Sequence, residues 1–244
     1  MSIKPNFSSL IAFGLLSLSG CLKEETAVVQ NPPPPSPVAC TADTVYRTGQ
    51  ATFYDFASGA GNCLFDSTPT DLMVGAMNTA DYAGSEICGT CLQVIGPLDT
   101  IRIRIVDQCP GCGEGGIDLS PLAFSLLADT SLGRIAIKWR RVECRIVGPI
   151  VYHFKDGSNQ WWTAMQIRNH RYPVATVEYL TARGAFKSVS RTDYNYFVEP
   201  SGMGPGPFTF RVTDIYGDVL VDSGIVHLPN LNVAGKGQFP ECVR

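Results

Sequence analysis

Nine cysteines are spread over 244 residues, and their placement decides which folds are open to the chain. Four of them form two C-x-x-C pairs, Cys88-Gly-Thr-Cys91 and Cys109-Pro-Gly-Cys112, with seventeen residues between the pairs. That spacing matches a zinc ribbon, and a C-x-x-C pair is also a redox motif. Which reading holds depends on the compartment. The chain opens MSIKPNFSSLIAFGLLSLSGC: Lys4 is a positive start, Leu10 to Leu18 is a short apolar run, and the small residues Ser19 and Gly20 follow. This is the pattern of an export signal, too short to span a bilayer as a helix.

The signal's end, Leu18-Ser19-Gly20-Cys21, looks like a bacterial lipobox. It predicts cleavage before Cys21 and a lipid on the Cys21 sulfur. An ordinary secretory signal with a chance cysteine is the alternative. The protein is therefore expected to be secreted or lipid-anchored at a cell envelope, at the outer membrane in a two-membrane cell. The other eight cysteines, Cys40, Cys63, Cys88, Cys91, Cys109, Cys112, Cys144 and Cys242, are an even set in an exported chain and read as disulfides. A zinc ribbon needs reduced thiolates, and a thioredoxin-like pair wants a βαβ setting that neither motif has. No metal and no cofactor is expected. The spacing alone does not pair the cysteines.

Residues 21–39 run from polar to proline-rich, with four successive prolines at Pro32–Pro35. Such a stretch favours polyproline II and acts as a semi-rigid spacer. The boundaries predicted are a signal at 1–20, a linker at 21–39, one module at 40–147 and a second at 148–244, broken at Gly148-Pro149. The first module carries eight basic and twelve acidic residues, the second nine and eight. With a net charge of −3 there is no electrostatic case for a nucleic-acid partner. No other apolar run reaches the ~20 residues of a membrane helix. A monomer touching a membrane only through a lipid is expected.

In the first module, Ile101–Asp107 and Ile135–Glu143 alternate apolar and basic residues, as half-buried strands do. Between them lies one good helix signal. Ser120 caps, Pro121 fits the first turn, and Leu122, Phe124, Leu126 and Leu127 supply an apolar face. Short strands with one helix suggest a compact barrel. The second module reads as strand-length runs separated by turns, with a hairpin at Asp214–Val219, which suggests a small β-sandwich.

Three stretches carry possible chemistry. GQATFYDF (49–56) offers Thr52, Tyr54 and Asp55; VDQCPGCGEGGIDLS (106–120) offers Asp107, Glu114 and Asp118; KDGSNQWW (155–162) is followed downstream by TDYNYF (192–197). Asp118 reads either as a helix-start acid or as a groove acid acting on a glycosidic oxygen. Asp107, placed at a strand end, reads as turn chemistry or as a group that orients Thr52. Strand alternation puts Trp161, Met165 and Ile167 on one face and Trp162, Ala164, Gln166 and Arg168 on the other. One core tryptophan and one half-exposed tryptophan would result. The alternative is an aromatic platform for sugar rings, extended by Tyr194 and Tyr196.

Together these motifs resemble the bacterial expansins, wall-loosening proteins, over nearly all of residues 45–244. The match rests on GQATFYD, CGTCLQVIGP, RIVDQCPGCGEGGIDLSPLAF, GRIAIKWRRVEC, SNQWWTAMQIRNHRYPV, TDYNYFVE, VTDIYGDVL and GQFPE in one order. CGTCLQV, RIVDQC and GGIDLS are also similar to barwin and other double-psi barrels. The resemblance implies a mainly β fold, a six-stranded double-psi β-barrel with a short helix packed against an immunoglobulin-like β-sandwich. It implies cellulose and associated wall polysaccharide as partner, with peptidoglycan a further candidate, and loosening of non-covalent glucan contacts without hydrolysis. It puts the essential acid at Asp118, with Thr52 and Asp107 in support. The aromatic line falls on Trp161, Trp162 and Tyr194, and a wall-binding cation on Lys155. It pairs Cys91 with Cys144 and Cys63 with Cys88. Two positions depart from the family pattern: Cys109 stands where many members have an aromatic, and Asp55 where glycine is common. Asp55 or Asp107 beside Asp118 therefore keeps an endoglucanase or lytic transglycosylase as the alternative, since hydrolysis needs two carboxylates. A binding module without loosening activity is a further one.

Overall fold

The computed structural model describes residues 43–55, 61–67 and 71–241. The signal, Cys21, the linker, Cys40 and Cys242 lie outside the described residues.

The first strands are β1 (Arg47–Phe53), β2 (Val74–Asn78), β3 (Cys91–Ile95), β4 (Thr100–Cys109), β5 (Ile117–Leu119) and β6 (Ile135–Val142). They close into a barrel in the order β1-β5-β2-β4-β3-β6. Two of its pairings are parallel, β1 with β5 and β2 with β4, and the rest are antiparallel. Alternation drives the closure. Ile101, Ile103 and Ile105 of β4 and Ile135, Ile137 and Trp139 of β6 point into one core, and Arg102, Arg104, Lys138 and Arg140 do not. Trp139 is fully buried with its indole N–H donating to the Gly115 carbonyl at 2.8 Å. Burying each such side chain is worth roughly 1.5–3 kcal/mol.

Two helices flank the barrel. α1 (Thr79–Tyr82) starts on Asn78, whose side chain accepts from the Asp81 N–H; the sequence reading did not foresee it. α2 (Pro121–Leu127) starts on Ser120, which accepts from the Ala123 N–H. Its buried face corrects the expectation. Ala123, Phe124 and Leu127 pack inward, while Leu122 and Leu126 are exposed, because a single two-turn helix can turn only one narrow stripe to the barrel. β4 also runs two residues past Asp107, so Asp107 lies within a strand rather than at its end.

The remaining strands are β7 (Val151–Phe154), β8 (Thr163–Arg168), β9 (Val174–Leu180), β10 (Phe186–Ser188), β11 (Ser190–Arg191), β12 (Phe197–Glu199), β13 (Phe208–Asp214), β14 (Val219–Ile225) and β15 (Asn232–Ala234). They form a four-stranded sheet, β10-β9-β13-β14, and a five-stranded sheet, β11-β12-β8-β7-β15. Tyr152, Phe154, Met165, Phe208 and Phe210 share one core, with the Tyr152 and Phe210 rings stacked 5.1 Å apart. β13 and β14 make the hairpin around Asp214–Val219.

The five-stranded sheet meets the barrel through polar contacts. Gln166 Nε2 of β8 and Asn195 Nδ2 both donate to the Cys63 carbonyl, at 3.0 and 3.1 Å. Arg168 binds Asp66 at 2.6 Å. The Cys144 N–H donates to the Arg171 carbonyl. Disulfides join Cys63 to Cys88, Cys91 to Cys144 and Cys109 to Cys112. The four cysteines of the two C-x-x-C motifs are thus divided among three bridges, and only the second motif is closed on itself.

Candidate functional site

The parallel pairing of β1 with β5 sets Thr52 opposite Asp118. The Thr52 hydroxyl donates to Asp118 Oδ1 at 2.5 Å. Both side chains are half-buried. Asp107, on β4, is held differently. Its Oδ1 accepts from the backbone N–H groups of Asn62, at 2.6 Å, and Gln108, at 2.7 Å. The Tyr54 hydroxyl lies 3.5 Å from Asp107 Oδ2. Burial, then the charges of Asp107 and Asp118, push the Tyr54 hydroxyl well above the ordinary tyrosine range. Asp107 faces this phenol, which stays a protonated donor. The fold brings together Thr52 of β1, Tyr54 just after it, Asp107 of β4 and Asp118 of β5. Asp55, one residue further on, is exposed.

Next to Thr52 lies a cavity of about 300 Å³, lined among others by Gln50, Cys109, Cys112, Glu114 and Arg134. The Cys109–Cys112 bridge is part of its wall. A sulfur pair stands here, at the Cys109 position where the sequence departs from the family pattern of an aromatic.

The second cluster sits on the five-stranded sheet. Trp161 and Trp162 precede β8 and do not belong to it, which corrects the strand-alternation reading. Asn159 folds the chain into a tight turn: its side-chain oxygen accepts from the N–H groups of Trp161 and Trp162, at 2.9 and 3.2 Å. Neither of these two is therefore a core tryptophan. Trp161 is 72 % exposed and Trp162 half-buried. Gly202 packs against the other side of this turn, its φ at +73° and an added Cβ only 2.0 Å from the Gln160 carbonyl oxygen. Only glycine fits so close to another backbone at positive φ. Tyr194, between β11 and β12, is half-buried. Tyr196 is buried and so lies under the surface rather than extending it. Its ring is 6.1 Å from that of Tyr194, and Lys155 Nζ sits 5.8 Å above it. Lys155 follows β7, the neighbour of β8. All four candidate sugar contacts thus come from loops of one sheet, and none from the other.

No protein-family model matches the chain. It is 38% identical over 216 residues to Expansin-YoaJ of Bacillus subtilis, covering 84% of this chain and 92% of that one. The chain belongs to the expansin family. Expansin-like protein 2 of Dictyostelium discoideum is 33% identical over 207 residues, 80% of this chain and 50% of the relative. Among solved structures, the apo Clavibacter michiganensis expansin superposes with a TM-score of 0.76 at 35% identity, over 81% of this chain and 99% of that one. A mutant of the same expansin, crystallised with cellohexaose, superposes equally well, at 34% identity. These matches carry the double-psi barrel and sandwich assignment onto the strand orders above.

Of two further residues in this expansin's groove, Tyr54 is offered by the sequence without a role and Asn62 is not offered at all. Tyr54 lies two positions after Thr52, where strand alternation returns a side chain to the same face, so a signal existed. Asn62 had none: it acts through its backbone N–H, and no residue-type pattern points to that.

Proposed function

We propose that this expansin binds cellulose and associated wall polysaccharide and loosens contacts between glucan chains without cutting them. The observation that carries this is the partner of Asp118. Asp118 accepts from the Thr52 hydroxyl, while Asp107 Oδ1 is held by two backbone donors and Oδ2 faces the Tyr54 hydroxyl. Glycoside hydrolysis needs an acid and a second carboxylate free to act as base or nucleophile. Trp161, Trp162 and Tyr194 stack on sugar rings, and Lys155 adds attraction for acidic polymers that weakens with salt. Asp118 hydrogen-bonds a hydroxyl or bridging oxygen of the chain lying in the groove. Thr52 and Asp107 hold the groove in shape. The cellohexaose held by the Clavibacter relative supports the ligand class. We retain the division at residues 40–147 and 148–244, export by the N-terminal signal, and a lipid on Cys21 as parts of the same reading. Intact mass of the mature chain tests the last two.

The decisive test is mechanical creep of wall strips or weakening of filter paper. Asp118→Asn is expected to abolish it with cellulose pull-down unchanged, and full retained activity removes Asp118 from its role. The hydrolytic alternative has one observation in its favour, that Thr52 on Asp118 and Tyr54 beside Asp107 are only two residues apart, which brings both carboxylates to one stretch of chain. Steady reducing-end release from soluble β-glucan or peptidoglycan, lost in Asp107→Asn or Asp55→Gly, selects it. Binding with no loosening selects the bare binding module.

A further inference from the structure

Asn62 touches both halves of the site. Its backbone N–H holds Asp107 in the barrel groove. Its side-chain Nδ2 donates at 2.9 Å to the carbonyl of Asp193, a residue 131 positions away on the sandwich, and at 2.9 Å to the Tyr82 hydroxyl. Tyr82 in turn donates to the same Asp193 carbonyl at 3.0 Å. Asp193 is the residue before Tyr194. Its turn is closed internally, with the Thr192 N–H on the Tyr196 carbonyl and the Tyr196 N–H on the Thr192 hydroxyl. It is pinned to the barrel at two further points, Ser85 Oγ to the Thr192 carbonyl at 2.7 Å and Asn195 Nδ2 to the Cys63 carbonyl. Asn62 thus joins Asp107 in the groove, through its backbone, to the backbone just before Tyr194, through its side chain.

We propose that Asn62 is a positioning residue that fixes the register between the sandwich's aromatic surface and the barrel groove. A glucan seated on Tyr194 and the tryptophans is thereby delivered to Asp118 in one alignment. This rests on the function proposed above and adds to it a group that touches no sugar. Binding to cellulose needs only the aromatic face. Loosening needs both halves in register, so the two activities separate when Asn62 is changed.

The experiment uses Asn62→Ala and Asn62→Asp in the full chain. Both retain the backbone bond to Asp107, and Asp is isosteric with Asn. Expected are cellulose affinity within about twofold of the unsubstituted protein, a melting temperature shifted by a few degrees, and creep per bound molecule reduced about tenfold or more at pH 7. The aspartate variant carries its own control. Ionised, it has no donor for the Asp193 carbonyl. Protonated, its carboxyl O–H donates as the amide does. The titratable groups around it are Tyr82, Asp107, Asp193 and Arg191. The two carboxylates favour its neutral form and Arg191 opposes it. Its creep, normalised to the unsubstituted protein at each pH, should rise between pH 7 and pH 4.5, while that of the alanine variant stays low. Full creep per bound molecule in both variants overturns the inference. So does a parallel loss of binding, creep and melting temperature, or an aspartate variant with no pH recovery. If Asp118→Asn also leaves creep intact, the proposed function has failed instead.

Discussion

His170 makes stability depend on pH in a direction and amount that follow from its surroundings. It lies between β8 and β9, 5 % exposed, its Nδ1 2.7 Å from the Tyr172 carbonyl. The backbone of Gly89 on the barrel approaches so closely that a Cβ there would be 2.6 Å from His170 Nε2. Burial lowers its pKa to about 4, and Arg191 and Arg104 add to the shift. The unfolded chain takes up this proton near pH 6.5, and the folded one only near pH 4. Stability is therefore complete above pH 6.5 and falls as the solution is acidified towards pH 4, at up to ~1.4 kcal/mol per pH unit. Between pH 7 and pH 5 the loss comes to about 2 kcal/mol, or roughly 4–8 °C in melting temperature for a chain of this size. Most carboxylates do not yet titrate in that window. His153 and His227 are also shifted down by burial and add in the same sense. The assay is thermal unfolding at both pH values for the unsubstituted protein and His170→Gln, which still donates to the Tyr172 carbonyl. The variant should lose about 2 kcal/mol less on acidification. Equal pH slopes in the two proteins refute the reasoning.

Trp161→Ala should weaken cellulose binding about tenfold, equivalent to ~1.4 kcal/mol, and leave the melting temperature nearly unchanged, because the side chain is exposed. Gly202→Ala should weaken binding too, by displacing the turn that presents Trp161, and pull-down assays of the two variants check both. Removing Cys91–Cys144, which closes 53 residues, should cost about 4 kcal/mol, and removing Cys63–Cys88, which closes 25, about 3.5 kcal/mol. The three-residue Cys109–Cys112 bridge should cost under half of either, measured by denaturant unfolding of paired Cys→Ser variants.

Local chemistry was readable from the sequence. β4 and β6 announced themselves by alternation, the start of α2 by Ser120-Pro121, and the β13–β14 hairpin by its turn residues. Long-range order was not. Nothing local says that β1 pairs in parallel with β5, which is what sets Thr52 against Asp118. Trp161 and Trp162 were read on a strand because the apolar pattern of β8 runs back through them. The Asn159 side chain holds both tryptophans in a turn so that the strand begins only at Thr163, and a polar cap of that kind competes with the ladder without disturbing the hydrophobic pattern. Tyr196 carries the same residue type as Tyr194, two positions away. Only its burial under Lys155 separates the two.

The barrel order has a consequence for when the protein becomes active. β1 is hydrogen-bonded on one side to β5 and on the other to β6, so its neighbours lie at residues 117–119 and 135–142. A chain emerging from its N-terminus carries Thr52 early, but the groove does not exist until residue 142 has followed and the ring has closed. Every intermediate that stops before residue 118 lacks the Thr52–Asp118 bond, and every one that stops before β6 leaves the ring open. The barrel groove cannot exist half-made, and β6, the last barrel strand to arrive, is what completes it.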